Sequence, residues 1–237
     1  MFETIAVDFR RMFPVFPLPE TVLLPHGIQP LHIFEPRYTQ MLDHLLDGRG
    51  QIAMATWADL SPEVMEVRPL RQVVCMGQIV QHEHVQSGYQ VLLHGLCRGR
   101  IVDVHEPTGD RLYRTALIRP IAGSDKADKA DKADNDDVLD DARGAIRSLL
   151  RSRSLKPMER LETVATWFDL DEVPTGPLVD LAGAAVLGSS DQRYELLAEP
   201  DAQVRADIVL QELRELERLL RLAALQPRED GGRISRN

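Results

Sequence analysis

A chain of 237 residues suits one domain or two small ones, and with 43% apolar and 27% charged residues it can bury a core without metal or disulfide support. Its net charge of −9 argues against a nucleic-acid partner, which calls for clustered positive charge. Its two cysteines, Cys75 and Cys97, lie in no CxxC or Cys/His zinc spacing. The N-terminus carries acids at Glu3 and Asp8 with no continuous apolar run, so it does not read as a secretory signal. No run approaches the roughly 20 apolar residues of a membrane helix, so the expected compartment is the cytoplasm and no membrane partner is expected.

Residues 1–12 are a weakly marked lead-in. Residues 13–38, FPVFPLPETVLLPHGIQPLHIFEPRY, hold six of the fifteen prolines. Proline fixes φ and removes a donor, so no helix or central strand runs through that spacing. The large apolar residues between them predict short strands and bends threaded through a core. Pro36 opens a helix with Tyr38, Met41, Leu42, Leu45 and Leu46 on one face, up to Gly48. Residues 51–57 (QIAMATW) predict a strand, and residues 64–67 a short one inside a loop. Residues 73–84 predict a strand bent at Gly77, Ser87-Gly88 a turn, and residues 89–93 the return strand. Extended chain continues to His105, and residues 112–121 close the β-region as an antiparallel barrel or folded sheet.

Residues 123–137, GSDKADKADKADNDD, contain no large apolar residue and cannot offset the entropy of ordering, so they read as an acidic linker. The alternative is a helix extending upstream from the next one. From Val138 the pattern turns helical: Val138, Leu139, Ala142, Ile146, Leu149 and Leu150 share one face. Ser154 is the expected cap of a second helix, residues 174–177 (PTGP) a loop, and Leu178 to Leu187 a third helix rich in small residues. Ser190 or Asp191 is expected to cap a short turn and Asp201 the last helix. The tail from Pro227 reads as disordered.

The runs Phe16-Pro17-Leu18-Pro19, Val22-Leu23-Leu24-Pro25-His26-Gly27 and above all Leu31-His32-Ile33-Phe34-Glu35-Pro36-Arg37-Tyr38 resemble the opening of the Lon N-terminal domain family, in particular its small stand-alone bacterial members. Gly95-Leu96-Cys97-Arg98 is similar to that family's glycine-flanked run, and Leu178 to Leu187 with residues 192–205 resembles its helical part. The resemblance implies an α+β fold: an N-terminal PUA-like antiparallel β pseudo-barrel with one capping helix, then a C-terminal α-helical bundle. The expected divisions are residues 1–122 for the β-domain, 123–137 for the linker, 138–226 for the helical subdomain and 227–237 for the tail. It further implies recognition of unfolded or exposed apolar polypeptide, with delivery to a protease or chaperone as an open role. The family-motif residues Pro25, Gly27, Leu31, Phe34, Glu35, Pro36, Arg37, Tyr38, Gly95 and Arg98 are expected to serve structure.

Catalysis of the Lon type is not expected. No G-x-x-x-x-G-K-[ST] loop is present to cradle phosphate. Of four lysines, Lys126, Lys129 and Lys132 lie in the acidic run and Lys156 near a helix start, none placed to serve as a catalytic base. No G-x-S-x-G elbow occurs, and the chain ends too soon after its helices to hold a further domain. We therefore expect no catalytic residue and no cofactor. His82 and His84 would face one side of a strand and offer two metal ligands, with a third required from His94 or His105. The favoured reading is an exposed polar strand end and no metal. Glu35 and Arg37 are expected to lock a bend rather than bind a peptide terminus, and Arg98 and Arg100 carry the same two readings. Trp57, Trp167 and Phe168 are expected in the core.

Two functions remain at this stage. One is a non-catalytic polypeptide-binding module, with an apolar groove between β-domain and helices and a sheet edge offering backbone hydrogen bonds. The other is a small-molecule or metal site, with hydrolysis as its extreme form, in the same cleft, where His82, His84 or Glu35 would converge with a further polar group.

Overall fold

The computed structural model describes residues 5–58, 68–121, 132–156 and 158–225, with backbone alone for 132–138 and 225. The strand expected at 64–67 and the tail from 227 fall outside these residues. Six strands and six helices follow in the order β1 (Met12–Leu18), β2 (Ile28–Ile33), α1 (Pro36–Leu46), β3 (Gln51–Thr56), β4 (Val73–Val85), β5 (Gly88–His105), β6 (Thr115–Pro120), α2 (Lys132–Leu150), α3 (Glu159–Trp167), α4 (Thr175–Val186), α5 (Ser190–Ala198) and α6 (Ala202–Leu225). This is the expected α+β arrangement, with α1 as the capping helix and the other helices after the strands.

Five strands close a ring. β1 pairs with β3 and β6, β3 with β4, β4 with β5, and β5 with β6. All of these pairs are antiparallel except β1–β3, which is parallel. The expectation of an antiparallel barrel is corrected at that pair, because the β2–α1 excursion returns β3 beside β1 in the same direction. Alternating side chains fill the ring: Phe13 and Val15, Ala53 and Ala55, Val74 and Met76, and Ala116 and Ile118 form one buried cluster. The residues between them, including Phe16, Ile52, Met54 and Cys75, join a second core with α1 and the helices. Every residue of β3 is therefore buried, because both of its faces are covered. Cys75 and Cys97 fall on these two opposite faces.

β5 is long because it serves two neighbours. Its first half carries β2 and its second half β6, while β4 runs along its other side. The bend expected at Gly77 is a register shift between Met76 and Gly77. The Pro25-His26 turn is docked onto β5. Gly27 N–H donates to the Leu24 carbonyl at 3.1 Å and His26 adopts φ 65°, the geometry of a type II turn with proline at its second position. His26 N–H donates to Gly95 O at 2.8 Å, and Gly95 N–H to Gly27 O at 2.9 Å. A side chain at Gly95 would bring a Cβ within 2.2 Å of the Leu24 carbonyl oxygen, so this close approach requires glycine.

The helix boundaries differ from expectation in instructive ways. α2 starts at Lys132, so residues 132–137 of the expected linker are helical; residues 122–131 lie outside the described part. α3 starts at Glu159 after Met158, and Ser154 caps nothing, although Leu155 is buried in the core. Residues 174–177 are not a loop: α4 begins at Thr175, with both prolines at its N-terminal end, where a missing N–H costs little. Ser189, rather than Ser190 or Asp191, caps α5, in a reciprocal box with Gln192. Asp201 Oδ1 accepts from Gln203 N–H at 2.8 Å at the start of α6, as expected.

Gly95 and Gly144 make a matched test. Gly95→Ala should lower the unfolding free energy by about 3 kcal/mol through overpacking. Gly144→Ala, inside α2 with nothing within 4 Å of the added Cβ, should raise it by about 0.5 to 1 kcal/mol. Urea titration of both variants reads the difference; equal midpoints would contradict the docked turn.

Candidate functional site

The junction between the barrel and the helices is solid. One apolar core runs from Phe16, Met41 and Leu93 on the β-side to Phe168, Leu178 and Val209 on the helical side. Within it sits a buried ionic cluster. Arg98 of β5 donates to Asp180 of α4 through both terminal nitrogens, at 2.9 and 2.7 Å. Its Nε donates to the Leu197 carbonyl at 3.1 Å and its Nη2 to the Leu196 carbonyl at 3.3 Å, near the C-terminal end of α5. Arg205 of α6 reaches the same Asp180 at 3.1 Å and donates to the carbonyls of Glu199 and Pro200. Arg98, Asp180 and Arg205 are 0%, 1% and 1% exposed. Arg98 is thus sealed inside the junction, whereas Arg100, two residues on, is exposed and donates to Gln72 at 3.1 Å. The two arginines part because helices cover only the first.

A second tie fixes α5. Arg71 pairs with Asp191 and lies over the Tyr194 ring at 4.5 Å, and Val73 N–H donates to the Tyr194 hydroxyl at 3.0 Å. Among the described residues the groove expected between β-domain and helices is therefore filled by side chains.

Among the described residues two clefts lie on the β-side, and the run 31–38 contributes to both. The first, about 360 Å³, lies across β2, β5 and β4 and is lined by Pro30, Leu31, His32, His82, Gln90 and Leu92 among others. Register explains its composition. Ile28, Pro30 and His32 stand opposite His94, Leu92 and Gln90, which in turn face Gln78, Gln81 and Glu83. The alternate residues Ile33, Val91 and Leu93 turn into the core. On the outward side Ile28 is 53% exposed, Phe34 64% and Val80 48%, each a large apolar residue in water. Phe34 lies one residue past β2, on the alternation that points outward, and its ring lies 5.6 Å from that of His32.

β2 is an edge strand, yet it is a poor template for strand addition. Pro30 supplies no donor at its centre, and the Gln29 side-chain amide donates to the Pro30 carbonyl at 3.1 Å. The face of the sheet, rather than its edge, is thus the surface this side offers to solvent.

The second cleft, about 270 Å³, lies between the end of β1, the start of α1 and the β5–β6 loop, and is lined by Arg37, Tyr38, Trp57, Arg68, Tyr113 and Arg114 among others. Glu35 and Arg37 pair with each other at 2.6 Å, both about half exposed. Tyr38 is buried against Phe16, its ring edge-on at 4.7 Å, and burial raises its hydroxyl pKa. Trp57 is half-buried and so is Trp167, while Phe168 is buried as expected.

The histidines do not converge. His84 packs edge-on against Tyr89 at 5.0 Å, and Tyr89 donates to Asp43 at 2.5 Å. His82 lines the first cleft. His94 pairs in register with Gln78, and burial holds its imidazole below the usual range, with His26 pushing the same way. His105 sits at the far end of β5 beside Asp103 at 3.1 Å. Among the described residues no three His, Cys, Asp or Glu side chains stand as a metal set, and no helix is long and apolar enough to cross a membrane.

Sequence reasoning missed Asp180 and the second cleft. A single acid inside the apolar run TGPLVDLAGAAV was the available signal for Asp180. Trp57, Arg68 and Arg114 lie too far apart in sequence to have offered one.

The sequence profile of the ATP-dependent protease La (LON) substrate-binding domain matches residues 12–215. No curated protein matches the chain. Among solved structures, the N-terminal domain of a Mycobacterium avium complex Lon protease aligns over 86% of this chain and 99% of its own, at 14% identity and a TM-score of 0.62. A Lon N-terminal domain protein from Xanthomonas campestris aligns over 92% of this chain and 99% of its own, at 19% identity and a TM-score of 0.51. At these identities the two structures speak for the fold alone.

Burial separates the two arginine pairs energetically. Asp180→Asn leaves two guanidiniums buried without a counter-charge and should cost about 3 to 5 kcal/mol. Arg37→Ala breaks an exposed pair and should cost no more than about 1 kcal/mol. Thermal melts of the two variants should therefore diverge widely; similar melting points would contradict the assignment of Arg98 and Asp180 to the structural junction.

Proposed function

The chain belongs to the LON substrate-binding domain family, and from that footing we propose that it is a non-catalytic recognition module for unfolded or exposed apolar polypeptide segments. The observation that carries this reading is the outward face of β2–β5–β4. Ile28, Phe34 and Val80 stand in water there, around a cleft bordered by Pro30 and Leu92. Apolar side chains held on a rigid sheet gain by covering one another with a partner's apolar side chains, at roughly 25 cal/mol per Å² removed from water. Such contacts are adaptable and do not read sequence closely, which suits clients that share only exposed apolar residues. His32, Gln90 and Glu83 supply hydrogen-bonding groups on the same face for a client's polar atoms.

The module acts in the cytoplasm and hands clients on to a protease or chaperone. It performs no chemistry of its own. The small-molecule and metal reading loses its chief support, because Glu35 is paired with Arg37 and His82 and His84 lack a third ligand among the described residues.

Phe34 is the anchor to remove. Phe34→Ala should weaken binding of fluorescein-labelled casein about tenfold, about 1.4 kcal/mol. Being exposed, the site should change stability by less than about 0.5 kcal/mol. Leu170→Ala, an exposed leucine among the helices, should leave affinity unchanged. No measurable casein binding by the unsubstituted chain, or equal loss from both variants, would sink the proposal.

A further inference from the structure

The sheet β2–β5–β4 has two edges, and they differ. β2, with Pro30 near its centre, closes one of them to strand addition. The other belongs to the far half of β4. β3 pairs with β4 only as far as Gln78, and Ile79 N–H donates to the Gly50 carbonyl at 2.8 Å. From Val80 to Val85, among the described residues, β4 has a strand on one side alone, which is β5. Val80, Gln81, His82, Glu83 and His84 are all exposed. Residues 80–85, VQHEHV, contain neither proline nor lysine, the usual guards of an open edge.

The ladder decides which backbone groups face outward. In an antiparallel pair, alternate residues turn both N–H and C=O to the neighbour, and those between turn both away. Ile79 points away from β5, since its N–H reaches Gly50. The register shift between Ile79 and Gln81 adds one residue to β4, so the alternation resumes with Glu83 towards β5 and with His82 and His84 away from it. The His84 ring lies 5.0 Å from that of its register partner Tyr89, the close side-chain approach of a pair not bonded to each other. Two N–H groups and two carbonyls therefore stand along the free edge, without a backbone partner among the described residues.

We propose that this edge takes an extended client segment as an added antiparallel strand, and that Glu83 selects a segment with lysine or arginine at the residue it faces. The inference rests on the polypeptide reading above and names the segment. The competing occupant is a second copy of the chain. An antiparallel strand that uses all four backbone groups sets one residue opposite Glu83, with that residue's neighbours bonded to His82 and His84. Between two copies related by a two-fold axis, the residue opposite is Glu83 again. Directly opposed carboxylates are destabilising, whereas a cation in that place is favourable. Glu83 is exposed and holds no ion pair among the described residues, and its neighbour across the ladder is the neutral Gln90. The net charge of −9 adds the same preference at long range. One acid thus keeps copies of the chain apart and favours basic clients.

The probe is a fluorescein-labelled pentapeptide, Thr-Val-Lys-Val-Thr with an amidated C-terminus, read by anisotropy. Its valines face His84 and His82 and its lysine faces Glu83. N-methylation of both valines removes the donors aimed at β4 and should weaken binding at least about tenfold. N-methylation of the lysine alone removes a donor aimed at solvent and should change binding less than about twofold. Glutamate in place of the lysine should weaken binding about fivefold, and Glu83→Lys should reverse that preference with an unchanged melting temperature. In the complex, hydrogen exchange at the His82 and His84 amides should slow at least about tenfold while that of Glu83 stays as it was. Equal loss from both methylation patterns, no saturable binding of the unmodified peptide, or a charge preference that survives Glu83→Lys would overturn the proposal. So would slowed exchange at His82 and His84 that grows with the concentration of the chain alone, which assigns the edge to a second copy. Phe34 lies at the end of β2, across β5 from this edge, so Phe34→Ala should leave the peptide's affinity unchanged. If the peptide fails while casein still binds in a Phe34-dependent way, the strand site alone is lost.

Discussion

The buried carboxylate of Asp180, shared by Arg98 and Arg205, is the constraint on which the rest of the structure depends. It joins β5, α4 and α6 directly, and through Arg98 the carbonyls near the end of α5. Burying three charges costs several kcal/mol each in desolvation, and only close geometry with nearly every donor used offsets it. Apolar side chains of the same volume would fill that space without such demands. What the ions add is specification: the helices can dock on the barrel in few ways that leave no guanidinium unpaired. Among the described residues this junction is filled by apolar and ionic side chains, and the two clefts described above lie on the β-side.

Those surfaces are written largely by the run 31–38, and a strand's alternation explains how. Ile33 turns into the core while His32 and Phe34 face water, and after the turn at Glu35 the helix buries Tyr38 while Arg37 stays outside. One short run thus anchors itself at two positions and presents side chains to two clefts. The first is apolar and set on a sheet face; the second is cationic and aromatic.

Local features were legible in the sequence, and contacts between distant residues were not. The strand at 51–56, the hairpin around Ser87-Gly88 and the helix opened by Pro36 each carry their signal within a few residues. The α+β class and the family followed from motif runs of the same short range. The parallel β1–β3 pairing left no local mark, because it is decided by how the intervening helix packs. α4 was read as starting late because two prolines resemble a loop, although the first turn of a helix tolerates both. Arg98 carried both a structural and a binding reading, and Asp180, 82 residues away in sequence, offered no local signal to choose between them. Phe34, a family-motif residue expected to serve structure, faces water, as its place in the strand alternation dictates.

Polypeptide clients are proposed to be held on the outward face of β2–β5–β4. Amide chemical-shift mapping of the labelled chain with an unfolded client tests it most directly. Shifts concentrated at residues 28–34, 80–83 and 90–92, with those of α4 and α5 unmoved, are the predicted result. Shifts centred on the helices around Asp180 and Leu196, or none anywhere at saturating client, would contradict it.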